Sequence, residues 1–101
     1  MIILHAKLPI KEEKMDEALE LAKKLVEKSN QEEGMIDYRA TRDIEDNNII
    51  RFFEQYEDAE AFQAHNETSH FQEFEEKIPD LLANEPEIIK FKVSETTELE
   101  P

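Results

Sequence analysis

The segment "MIDYRATRDIEDNNIIRFFEQYED", residues 35–58, contains two runs of alternating residues around a turn-like "IEDNN". In the first run Ile36, Tyr38 and Ala40 share the more apolar face, and the second run continues through Tyr56. Side chains on a strand alternate between faces, so this pattern predicts two strands joined as a hairpin. Phe52 and Phe53 make the second strand apolar on both faces, so parity does not orient it.

The flanking segments turn the hairpin into a fold. Upstream, "MIILHAKLP" reads as a strand, with Ile2, Leu4, Ala6 and Leu8 on one face and Ile3, His5 and Lys7 on the other. A helix then follows from about Lys11 to Glu32, where Met15, Ala18, Leu19, Ala22, Leu25, Val26 and Ser29 recur at helical spacing. Gly34, the chain's single glycine, reads as the cap that ends this helix with a positive φ. Downstream, Asp58 caps a short helix "AEAFQAH", and "NETS" breaks it. Ser69 and Gln72 have capping-box spacing for a further helix, whose stripe is Phe71, Phe74, Ile78, Leu81 and Leu82. Pro79 disturbs its last turn, and "PEIIKFKVS" is the final strand.

The order strand, helix, strand, strand, helix pair, strand is the split β-α-β pattern of an α+β, ferredoxin-like fold. One antiparallel sheet is covered by helices on a single face. Leu4, Ala6, Ile36 and Tyr38 are assigned to that covered face. The other face still carries apolar side chains, which calls for a partner, and a second copy is the simplest one. Residues 1–94 form the domain, and the acidic stretch 95–101 has nothing to bury.

Composition narrows the function. The 101 residues fit one domain, and 26 acidic against 12 basic residues give a formal net charge of −14. Such a surface repels phosphate backbones and anionic lipid, so neither nucleic acid nor membrane is an expected partner. No run is long enough to span a bilayer, and the chain reads as cytoplasmic. Without cysteine there is no disulfide, thiol nucleophile or thiolate metal site.

The stretch "FQAHNETSHFQEF", residues 62–74, sets His65 and His70 five residues apart across the predicted helix break. His5 is the only other histidine, and nothing in this spacing demands a metal. Hydrogen-bonded histidines near helix ends are one reading, and acid–base groups at a pocket rim are another. Phe62, Phe71 and Phe74 either pack a core or wall a pocket to which Tyr38 adds a hydroxyl. Glu54 either faces the interior or pairs with an arginine.

Three segments carry a resemblance to a known family: "EEGMIDYRATRD", "FFEQYEDAEAFQAHNETSHFQEF" and "IPDLLANEPEI". The glycine before the second strand, Glu54–Gln55–Tyr56 before a short helix, and His65 followed by Ser69 and His70 resemble the antibiotic biosynthesis monooxygenase family. The resemblance runs from Met1 to about Ser94. It implies a dimeric α+β barrel of two ferredoxin-like protomers. It also implies one of several chemistries: cofactor-independent oxygenation of quinols and related aromatics, heme degradation, or isomerisation of a phosphorylated small molecule. For the isomerase, "QEEG" (31–34) and "AHNETSHF" (64–71) are the similar segments. For heme degradation, His65, Glu75 and Ala6 stand where that branch has tryptophan, histidine and asparagine, and a carboxylate is a poor proximal ligand.

The resulting expectation is a homodimeric monooxygenase with no metal and no cofactor, acting on a quinol or related aromatic with oxygen. His65 and His70 are its acid–base groups; Tyr38, Phe62, Phe71 and Phe74 contact the substrate. The rivals are an isomerase, which would need Arg39, Arg42 or Arg51 at the pocket, and a non-catalytic dimeric binding module with a solid core.

Overall fold

The hairpin forms as its alternation predicts. In the computed structural model, which describes residues 1–101, β1 (Ile2–Pro9) leads into α1 (Met15–Ser29). The hairpin is β2 (Met35–Arg42) and β3 (Ile49–Tyr56). Then come α2 (Ala59–Asn66), α3 (Ser69–Lys77) and β4 (Glu87–Lys92). The sheet order is β2-β3-β1-β4, with every neighbouring pair antiparallel. This is the ferredoxin-like α+β arrangement, and the helices lie over one face. No helix is long and apolar enough to cross a membrane.

Register resolves the strand that parity could not orient. Phe52 lies opposite Ala6 and Ala40 and is buried, whereas Phe53 lies opposite His5 and Arg39 and is 40 % exposed. The covered face carries a row that crosses all four strands: Tyr38, Glu54, Leu4 and Lys90. His5 sits on the opposite, uncovered face between Phe53 and Ile89.

Ile36 is not on the covered face; it is an extra residue at a bulge between Met35 and Asp37 and is 47 % exposed. A bulge shifts the alternation by one, so Met35 and Tyr38 share the covered face although they are an odd number of positions apart. Asn30 helps to fix this register. Its side-chain amide donates to the Val26 carbonyl (3.0 Å) and the Tyr38 carbonyl (2.9 Å), and its Oδ1 accepts from the Tyr38 N–H (3.0 Å). The same side chain therefore ends α1 and satisfies two backbone groups on an edge strand.

Helix ends also differ from the sequence reading. The first helix is shorter than 11–32, because a 3₁₀ turn at Glu12–Lys14 precedes it and Asn30 stops it. Gly34 does have a positive φ (+84°), but in the turn into β2 rather than at the helix cap. A Cβ there would stand 2.7 Å from that of Ala61 on α2, so the glycine also allows α2 to approach. Asp58 caps α2 as expected, accepting from the Ala61 N–H at 2.9 Å. The next cap is Thr68, not Ser69: its hydroxyl accepts from the Phe71 N–H and donates to the His65 carbonyl at 2.7 Å. Pro79 lies in a 3₁₀ turn, Ile78–Leu81, that follows α3. Residues 95–101 form neither helix nor strand and are exposed.

The core lies between the sheet and the helices. Ala18, Ala22 and Leu25 of α1 pack with Leu8, Ile50, Phe52, Phe74 and Leu81. Small residues on α1 let that helix sit close to the sheet. Beneath α2 and α3, toward β4, packing is incomplete and a cavity opens.

Candidate functional site

The cavity has a volume of about 560 Å³, the size of ordinary small-molecule sites. Leu4, Ala6 and Phe52 form its floor on the sheet. Phe62 on α2 and Phe71 and Phe74 on α3 form its walls, and Ile88 and Lys90 on β4 stand at its edge. The amphipathic spacing that gives α3 its apolar stripe is therefore also what lines the cavity. Tyr38, Phe62, Phe71 and Phe74, the residues singled out for substrate contact, all line this one space.

His65 lines it as well, but not at a rim: the residue is only 1 % exposed. Its ring is enclosed by those of Phe71, Tyr38 and Tyr56, at centroid distances of 4.9, 5.1 and 5.6 Å. Its Nδ1 lies 2.8 Å from Oε2 of Glu32. His70 does not line the cavity; its Nε2 meets the same Glu32 oxygen at 2.6 Å. Glu32 comes from the turn after α1, His65 from the end of α2 and His70 from the start of α3. Thr68, bonded at once to His65 and Phe71, fixes the angle at which the two helices present their rings.

The chemistry of the acceptor sets the tautomers. An ionised carboxylate only accepts, so both rings donate to Glu32. His65 then carries its proton on Nδ1 and keeps a lone pair on Nε2. That Nε2 is buried and has no partner. Burial pushes the imidazole pKa below its ordinary value, against the opposing pull of Glu32, so the ring is neutral at neutral pH.

The three donor atoms of Glu32, His65 and His70 lie within 4.8 Å of one another, a spacing that could hold a divalent cation. A cation on Nδ1 of His65 would move the proton to Nε2, where no acceptor meets it. A ligating histidine normally donates through its other nitrogen. The donor set therefore fits two hydrogen bonds to one carboxylate better than it fits a metal.

A second polar group lies on the floor. Glu54 is 5 % exposed and accepts from the Tyr56 hydroxyl at 2.5 Å through Oε1. No arginine pairs with it: Arg39 pairs with Asp37, Arg42 donates to the Asn47 carbonyl, and Arg51 pairs with Asp43. Burial pushes its pKa up to about 7, although the Tyr56 and Tyr38 hydroxyls pull the other way. Both tyrosine hydroxyls are pushed well above their ordinary range, by burial first and by the Glu54 charge second.

Comparison with known proteins places this chain in a family. The family model described as antibiotic biosynthesis monooxygenase matches residues 1–77, most of the chain. The chain belongs to the antibiotic biosynthesis monooxygenase family. YcnE of Bacillus subtilis, whose name assigns it a monooxygenase activity by inference, is 36 % identical over 95 residues, covering 94 % of this chain and all of that one. A conserved protein from Methanosarcina mazei is 31 % identical with a TM-score of 0.87, over 92 % of each chain. A Deinococcus radiodurans protein, described by inference as an antibiotic biosynthesis monooxygenase, superposes over the full length of both chains with a TM-score of 0.92. At 17 % identity that last match shows the fold alone.

Within this antibiotic biosynthesis monooxygenase fold, Glu32 is the site residue that sequence reasoning missed. It is one of 26 acidic residues, and no periodicity marks it. Its place two residues before the obligatory glycine turn was the one available signal.

Proposed function

We propose that the chain is a cofactor-independent monooxygenase that oxidises a hydroquinone or related small aromatic with oxygen, and that it works as a homodimer. The observation that carries this reading is the neutral, carboxylate-anchored His65, whose ring lines an apolar cavity and whose Nε2 is buried without a partner, so that a substrate hydroxyl meets that nitrogen as the enclosing rings give way. Such a ring is a positioned general base. Taking the proton of an aromatic hydroxyl leaves an electron-rich phenolate that oxygen can oxidise directly. One oxygen atom enters the ring and the other leaves as water. The ring gives up four electrons, two in becoming a quinone and two in gaining the oxygen, so no further reductant is needed. The apolar walls hold the ring and exclude water.

The placement of the arginines weighs against a phosphorylated substrate, since Arg39, Arg42 and Arg51 are engaged elsewhere and Lys90 is the one cation lining the cavity. The cavity itself weighs against a module with a solid core. The test is oxygen-electrode uptake with a panel of hydroquinones under ¹⁸O₂. Turnover should place one labelled atom in the product. Label found only in hydrogen peroxide would reduce the protein to an oxidase, and no uptake with any hydroquinone would end the reading.

The dimer is supported by the uncovered sheet face. Phe53, Ile89 and Phe91 are 40 %, 53 % and 47 % exposed there, an apolar patch that the helices do not reach. A second copy laid face to face would cover it. Sedimentation at micromolar concentration should give about twice 11.9 kDa. A folded species at 11.9 kDa would rule out the dimer.

A further inference from the structure

We propose that Glu54 and Tyr38 form an oxyanion-holding end of the cavity, which binds the charged oxygen of a phenolate or enolate. This rests on the reading of His65 as the base that removes that oxygen's proton.

Glu54 accepts from the Tyr56 hydroxyl through Oε1, and the Tyr38 hydroxyl lies close enough to favour its charged form as well. Glu54 and Tyr38 both line the cavity, and beyond the Tyr56 bond on Oε1 neither the second Glu54 oxygen nor the Tyr38 hydroxyl is held in a hydrogen bond of good geometry. A neutral carboxyl must place its proton on one oxygen. Because Oε1 already accepts from Tyr56, the proton belongs on the oxygen that opens onto the cavity. With Glu54 neutral up to about pH 7, it presents an O–H there. Tyr38 presents another, since its hydroxyl resists ionisation. Two neutral donors in an apolar enclosure favour an anionic oxygen over a neutral one, because charge-assisted hydrogen bonds are the stronger kind. The substrate class is thereby narrowed to molecules with an acidic aromatic or enolic hydroxyl.

Other charged and titratable groups near Glu54 do not supply this function. Glu32 acts on it through space and raises its pKa further. His65 shares the cavity but is held neutral, and His70 reaches the site only through Glu32. Glu75 lines the cavity from α3. Lys90 shares the cross-strand row with Glu54, but Leu4 stands between them and the ammonium lies over the Phe62 ring, 5.5 Å from its centroid.

The test is binding of 4-nitrophenolate to the intact protein, followed by its visible absorbance. Wild-type affinity should fall about tenfold for each pH unit above about 7, as Glu54 loses its proton. Glu54→Gln keeps an N–H where the acid had its O–H, so it should bind the phenolate without that fall. Tyr38→Phe should bind about tenfold more weakly and keep the wild-type slope. A flat wild-type profile, an unchanged fall in Glu54→Gln, or no wild-type binding at millimolar ligand would each overturn the proposal. Binding is measured without oxygen, so turnover does not enter and the two readings separate. Normal oxygen uptake with a flat profile counts against Glu54 alone; the expected profile without uptake counts against the oxygenase alone.

Discussion

Replacing His65 with Asn should lower oxygen uptake about a hundred- to ten-thousand-fold, the usual effect of removing a positioned base. Asparagine is the informative choice because its side-chain amide can occupy the place of Nδ1 and still donate to Glu32. It removes Nε2 and little else. Alanine would be a poorer probe. The ring is packed among Tyr38, Tyr56 and Phe71 rather than partly exposed, so truncation would open a void and leave Glu32 short of a donor. If His65 works in the transition state, kcat should fall while KM stays within a few fold. His70→Ala should lose less, because His70 touches Glu32 and not the cavity. Steady-state rates and thermal melts on the same samples decide the matter. A folded His65→Asn protein with rates within threefold of the parent would remove His65 from the chemistry.

Glu54→Gln should gain stability relative to the parent as pH rises from about 4.5 to 8, by about 3 kcal/mol in all. The direction follows from proton counting. Glu54 has an ordinary pKa of 4.5 in the unfolded chain and about 7 in the folded one. Between those values the folded state holds a proton that the unfolded state has released. The stability contributed by that proton is full below pH 4.5 and disappears as pH climbs through 7. Glutamine cannot ionise and shows no such loss. His65 acts in the opposite sense. Its folded pKa is lowered from 6.5, so the protein loses stability as pH falls below that value. This second effect occurs in parent and variant alike and cancels in their difference. Urea titrations of both proteins across the range measure it. Parallel stability curves would show that the carboxyl ionises in the folded protein as freely as in water.

The fold was legible because its signals are local and repeated. Alternation in residues 1–9 and 35–43 and helical spacing from Met15 to Ser29 each point to one element, and their order admits one familiar topology. Ile36 was misplaced because a bulge breaks the alternation that parity reasoning assumes. Phe53 was ambiguous for a different reason: its apolar character belongs to the uncovered face, which a single chain gives no means of seeing. The site was half legible. Aromatic residues around His65 marked the cavity, although packing a core was the other use open to them. Glu32 could not be found that way, and Glu54 was singled out without a role. A carboxyl's role depends on what surrounds it in space, and in an acidic chain one more carboxyl carries almost no information.

Glu32 has one further consequence. The split β-α-β fold consists of two halves, β1-α1-β2 and β3-α2-α3-β4. Glu32 belongs to the first half, while both histidines that hold it belong to the second. The contact that orients the base is also a seam between the two halves, with each side contributing groups that are largely withdrawn from water. If His65 is the base, cohesion and reactivity share the same three side chains. A replacement chosen to tighten that seam, such as an apolar triad of similar volume, would then make a sturdier protein and an inert one. On that reading the chain cannot drift toward greater robustness at this point without surrendering its chemistry.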